Sequence, residues 1–116
     1  MAIYHKHLSE PWFSMIQIGR KLSEGRLCHG DFAEMKPGDT IFFENDDFGY
    51  KRFLKVRVNW IKHYETFEEL LEKETLELSL PGIYTIEEGL KIYRQYYAKE
   101  DEEKYKIVCL RIGRVF

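Results

Sequence analysis

Two neighbouring stretches decide the fold: Gly19-Arg20-Lys21-Leu22-Ser23-Glu24-Gly25-Arg26, and after a short gap Lys36-Pro37-Gly38-Asp39-Thr40-Ile41-Phe42-Phe43. The first opens on a glycine able to take the left-handed turn that ends a helix. It continues as an extended segment in which Glu24 and Arg26, two residues apart, share one face. Gly25 between them marks a bulge or a close approach of another element. The second opens on a proline-glycine turn that feeds an apolar strand, Thr40 to Glu44.

Working outward, Ile3 to Leu8 alternates as a first strand. A helix then starts at Ser9 or Glu10, with Pro11 in its first turn, where amides lack helical partners anyway. Trp12, Phe13 and Ile16 share one side of that helix, with Met15 nearby. Beyond the loop Asn45 to Tyr50, Lys51 to Tyr64 reads as the longest strand. Its period of two separates Leu54, Val56, Val58 and Trp60 from Lys51, Phe53, Lys55, Arg57 and Asn59: a core face and a basic face carrying an aromatic. Thr66-x-x-Glu69 and Thr85-x-x-Glu88 are capping boxes. The first starts a short helix through Lys73; the second starts a helix with Ile86, Leu90, Tyr93 and Tyr97 on one stripe. Thr75 to Leu80 gives no clear reading, and Pro81-Gly82 breaks it. Glu100 to Glu103 reads as an acidic loop and Tyr105 to Ile112 as a closing strand.

The order of these elements and the pair of motifs G-x-K-x-x-E-x-R and K-P-G-D-x-I-x-F resemble the ASCH domain, a branch of the PUA-like superfamily, over nearly the whole chain. The resemblance implies an α+β fold: a PUA-like, mostly antiparallel β-barrel with flanking helices, about half strand and a quarter helix. It implies one domain over residues 1–116. It also implies RNA as partner, or a nucleotide or nucleoside ligand, held in a cleft beside Lys21, Glu24 and Arg26. Some members of the family are enzymes. One branch removes the acetyl group of N4-acetylcytidine with a Lys, a Thr three residues later and a distant Glu; others are described as ribonucleases. Lys21 matches that Lys, but Glu24 stands where the Thr would be. Ser23, the nearest hydroxyl, faces the other way in a strand. Glu72 or Glu74 is the candidate distant acid.

The residues themselves leave several readings of the Lys21, Glu24, Arg26 set open. Two cations around a carboxylate keep it ionised. They can grip a phosphate while Glu24 fixes their geometry, or Glu24 can accept hydrogen bonds from a base edge. A desolvated Lys21 can also serve as base or nucleophile. The bland alternative is a salt-bridged strand edge. Lys51, Phe53, Lys55 and Arg57 suit a strand that follows a phosphate backbone while a base stacks, or simply the outward face of a barrel strand. Of the tyrosines at 93, 96, 97 and 105, the helical stripe assigns Tyr93 and Tyr97 to the core and leaves Tyr96 for a ligand.

Bulk composition narrows the classes further. A length of 116 residues, 44% of them apolar, supports one core. Net charge is −2, so any nucleic-acid grip must be local. Ten Lys/Arg face nine Asp/Glu through residue 65, against eight and eleven beyond it; Lys51 to Lys62 holds five cations and no acid. The acidic second half is the only support for a protein-interaction module. Cys28 and Cys109 form no disulfide framework, which suits reduced thiols and a cytoplasmic location. The first ten residues lack the apolar run of a signal peptide, and no run of about 18 apolar residues offers a membrane span. His5-x-His7 and Cys28-His29 lack the partner pairs of a zinc site. There is no P-loop, dinucleotide fingerprint or nucleophile elbow, so no metal and no cofactor is expected. The oligomeric state is not legible.

Overall fold

The computed structural model describes residues 1–116. Five strands form one sheet: β1 (Ile3–His7), β2 (Ser23–Leu27), β3 (Thr40–Asn45), β4 (Arg52–Tyr64) and β5 (Ile107–Arg114), in the spatial order β1-β3-β4-β5-β2. Only β1 and β3 run parallel; the other three pairings are antiparallel. β4 carries the curl. Its first half pairs with β3 and its second half with β5, and a register shift between Val58 and Trp60 bends it midway. Leu54, Val56 and Val58 are buried as the alternation requires, joining Ile41, Phe43, Leu110 and Ile112 in one core. Curling brings the two edge strands, β1 and β2, close enough for Arg26 to donate through Nη2 to the His7 carbonyl at 3.2 Å.

Helix α1 (Trp12–Gln17) buries Trp12, Phe13 and Ile16, and Gly19 follows it at φ +80°, the left-handed value that favours glycine. Helix α2 (Asp31–Glu34) is a single turn with no sequence signal strong enough to announce it. α3 (Phe67–Glu74) and α5 (Ile86–Tyr96) open as the capping boxes require: the hydroxyls of Thr66 and Thr85 accept from the amides of Glu69 and Glu88, each at 3.1 Å. α4 (Leu76–Ser79) fills the segment that gave no clear reading.

Three expectations fail here. Glu100 to Glu103 is helical, within α6 (Lys99–Tyr105), and β5 starts only at Ile107. Three acids in the first turn complement the helix dipole. Glu102, only 3% exposed, accepts from the first amide of α3 at 2.7 Å and pairs with Arg94. The helices also hold slightly more residues than the strands, so the chain is not half strand. No helix is long and apolar enough to cross a membrane.

Candidate functional site

The extended segment that opens on Lys21 runs along the sheet edge, and the alternation of β2 sends its side chains two ways. Ser23 and Gly25 face α3 and α5. A Cβ on Gly25 would lie 2.7 Å from Leu70 Cδ1, so Gly25 is the close-approach point that its position suggested. Glu24 and Arg26 face the opposite way, toward the seam between the sheet edges. There they meet Lys21: Glu24 Oε1 is 3.1 Å from Lys21 Nζ, and Oε2 accepts from Arg26 Nε at 2.7 Å.

This set is no surface salt bridge. Lys21 is 2% exposed and Glu24 5%. The Lys21 ammonium has three donors, and three acceptors meet them: Glu24, the Ser23 carbonyl at 2.7 Å and the Ser79 carbonyl. Lys21 is therefore an anchor for Glu24, with no donor to spare for a phosphate. Arg26 is only partly committed, to Glu24 and the His7 carbonyl, and its guanidinium lies 4.7 Å from the centre of the Phe32 ring. Burial opposes ionisation of Glu24, but the charges of Lys21 and Arg26 and their hydrogen bonds outweigh it. The carboxyl is held below its ordinary range.

Glu24 and its two cations open onto a cavity of about 270 Å³ at the seam. Leu8, Trp12, Leu80 and Ile92 give it apolar walls; Tyr93, Tyr96 and Tyr97 of the α5 region close one side. Tyr96 is 52% exposed, and its hydroxyl shares a 2.8 Å hydrogen bond with that of Ser9 across the mouth. Tyr93 is 5% exposed, and its hydroxyl has no hydrogen-bond partner. Burial, with the nearby Glu24 charge, pushes its ionisation well above the ordinary range, so it remains a neutral donor.

The sequence-chosen residues thus fall into two groups. Lys21, Glu24, Arg26 and Tyr96 line the cavity. Lys51, Phe53, Lys55 and Arg57 do not. Lys51 precedes β4, and the other three project from its opposite, exposed face, across from Glu44, Phe42 and Thr40 of β3. Phe53 is 56% exposed, Lys55 Nζ sits 5.9 Å from the Phe42 ring, and His5 stacks on that ring at 5.2 Å. Trp12, Leu80, Ile92 and Tyr93 were not singled out for the site, because wall residues and core residues carry the same apolar spacing.

The remaining candidates lie elsewhere. Ser23 turns away from the cavity toward Glu74, a buried acid that also accepts from Tyr64 and from Arg111 Nη2 at 3.0 Å. Glu72 is exposed. Burial, aided by Glu74, pushes the Cys109 thiol up to about 12, which leaves it inert. Cys28 and Cys109 are both free thiols. His5 faces Glu44 at 3.7 Å; His7 groups with Asp46 and Asp47 on an exposed surface, a common arrangement without a metal.

Residues 7–116 match the ASCH domain family. The chain belongs to that family. The ASCH fold seen here also occurs in solved structures. The hypothetical protein PH0355 is 42% identical, with a TM-score of 0.88, over 97% of this chain and 99% of that one. Protein PF0455 from Pyrococcus furiosus is 41% identical, with a TM-score of 0.79, over 97% of each chain. No functionally curated protein matches the sequence.

Proposed function

We propose that this ASCH domain is of the PUA-like class and binds single-stranded RNA, or a nucleotide fragment of it, with a base entering the seam cavity. One observation carries the reading: a buried carboxylate, held ionised between two cations, faces an aromatic-walled cavity of single-ligand size. Carboxylates accept from base amines and aromatic walls stack bases. Lys51, Phe53, Lys55 and Arg57 are assigned a separate task, following the phosphate backbone on the exposed face of β4. RNA is the natural partner in a cytoplasmic setting.

Binding should therefore be local and salt-dependent. Three or four phosphate contacts give a log–log salt slope of about −2 to −3 for a single strand. Titrating a short single-stranded RNA at several salt concentrations measures it. Lys55→Ala with Arg57→Ala should make the slope shallower by about 1.4, two contacts' worth. An unchanged slope removes the β4 face from the account, and absence of any binding removes the reading.

The same geometry argues against N4-acetylcytidine deacetylation. The hydroxyl three residues after the lysine is missing, since Glu24 takes that place, and Ser23 points to Glu74. All three donors of the Lys21 ammonium are engaged, by Glu24 and the carbonyls of Ser23 and Ser79. Incubation with N4-acetylcytidine should release no cytidine. Turnover near the enzyme median of about 10 per second, lost in Lys21→Ala, would replace the binding reading with an enzymatic one.

A further inference from the structure

We propose that the uncovered face of β1, β3 and β4 is a base-stacking platform for single-stranded RNA, in which His5 and Phe42 hold one base and Phe53 another, while the strand continues past His7 into the seam cavity. The inference rests on the binding reading above. It adds to that reading a second surface, one that takes bases by their flat faces.

Strand register fixes which side chains share this surface. His5 of β1, Phe42 of β3 and Lys55 of β4 form one row across the three strands; His7, Glu44 and Phe53 form the next. Residues paired across strands stand on the same side of a sheet. The residues between them, Ile41, Phe43, Leu54 and Val56, point the other way into the core. No helix covers the outward side: His5, His7, Phe53, Lys55 and Arg57 are all exposed.

The rings on this side are arranged for stacking. His5 and Phe42 lie nearly parallel, 13° apart, with centres 5.2 Å apart. The His5 ring is held from the side by Glu44 at 3.7 Å. With Phe42 against one side, a His5 side chain 60% exposed leaves its other side to a ligand. Phe53, 56% exposed, stands one row along. Rows on one face are two residues apart, about 6.6 Å, so each row has room for a base of its own. Open sheet faces carrying aromatic side chains stack two or three bases in this way. Because every base has a π-face, such stacking tolerates any sequence.

Charge identifies the occupant. Neither Lys55 nor Arg57 pairs with a carboxylate. Both lie on β4, while the His5 and Phe42 rings lie across the sheet from them. Phosphates can therefore follow β4 with bases laid toward β1. An apolar protein surface docked here would leave both cations without a counter-charge. The platform is also continuous with the seam. His7 belongs to the Phe53 row and lines the cavity as well. A strand that leaves the platform at that end arrives at the cavity mouth.

Titration of a mixed-sequence, single-stranded RNA octamer tests the platform. Phe53→Ala and His5→Ala, both at exposed positions, should keep the wild-type melting temperature. Each should weaken binding about fivefold or more, the low end of what one stacked base contributes. Phe42→Leu should weaken it too, since it leaves an apolar side chain beside His5 but removes the ring. Phe53→Ala changes no charge, so its salt slope should match the wild type, unlike that of Lys55→Ala with Arg57→Ala. If either Phe53→Ala or His5→Ala loses less than that, the platform is wrong while the cavity reading stands. A shallower slope in Phe53→Ala also overturns it, because the ring would then only place the neighbouring cations. If the wild type binds no octamer, the binding reading falls and this inference falls with it.

Discussion

Glu24→Ala is expected to cost about 3–5 kcal/mol of folding stability, the range for removing one partner of a buried ion pair. The pair itself is not the source of so large a number, because desolvation of its members offsets most of their attraction. What costs is the remainder: Lys21, 2% exposed, would be left buried among two carbonyls with no carboxylate, and Arg26 would lose its 2.7 Å contact. Chemical denaturation checks this through a lower midpoint at unchanged slope. The triple replacement Lys21→Met, Glu24→Leu, Arg26→Met should recover much of the loss, since removing all the charges leaves none stranded. A loss under about 1 kcal/mol in Glu24→Ala would mean that the three charges behave as a solvated surface pair.

The same carboxylate should be felt in the pH dependence. Glu24 is held below its ordinary value in the folded protein, so the unfolded chain takes up the proton first as pH falls. Its contribution is fully present above the ordinary carboxylate value, near pH 4, and is lost as pH drops through the depressed folded value. Asp39 is lowered too, by accepting from the amides of Ala2 and Lys36, so acid loss in the wild type has more than one source. Subtracting the melting curve of Glu24→Gln across pH 3 to 7 isolates the Glu24 part. A difference that does not shrink on acidification would remove Glu24 from the acid transition.

Local signals were legible wherever one element determines its own geometry. The alternation in β4, the stripe on α1, both threonine caps and the Glu24–Arg26 face all depend on residues a few positions apart. The close approach at Gly25 was readable as a need, though not as Leu70. What the sequence does not display is set by distant partners. Helix α6 has no apolar period to announce it; it is held by Glu102 on the first amide of α3, 35 residues away in sequence. The saturation of Lys21 depends on the Ser79 carbonyl, 58 residues away. Without it, Lys21 reads equally well as phosphate ligand, base or anchor. The cavity walls are hidden for a related reason. Tyr93 sits on the helical stripe of a core residue and is buried like one, yet it also lines the seam that the strand order β1-β3-β4-β5-β2 leaves between β1 and β2.

That double life of Tyr93 makes Phe67 the second position of large effect. Phe67 is fully buried and lies nearly parallel to two rings at once, Tyr93 at 4.1 Å and Tyr97 at 5.2 Å. Phe67→Ala should cost about 3–5 kcal/mol, as large core truncations do. For a chain of this size that is a fall in melting temperature of at least about 10 °C. The hole would open directly behind the cavity wall, so Tyr93 and Tyr97 would lose the surface that holds them. RNA affinity should therefore fall as well, measured at a temperature where the variant remains folded. Tyr84→Ala, at a residue 87% exposed, is the contrasting change and should alter neither quantity. Phe67→Leu keeps much of the volume but not the stacking, so it should retain more stability than affinity. If Phe67→Ala loses stability yet binds RNA as the wild type does, the Tyr93 wall is held by its own helix rather than by Phe67. The route from core packing to the cavity would then be wrong.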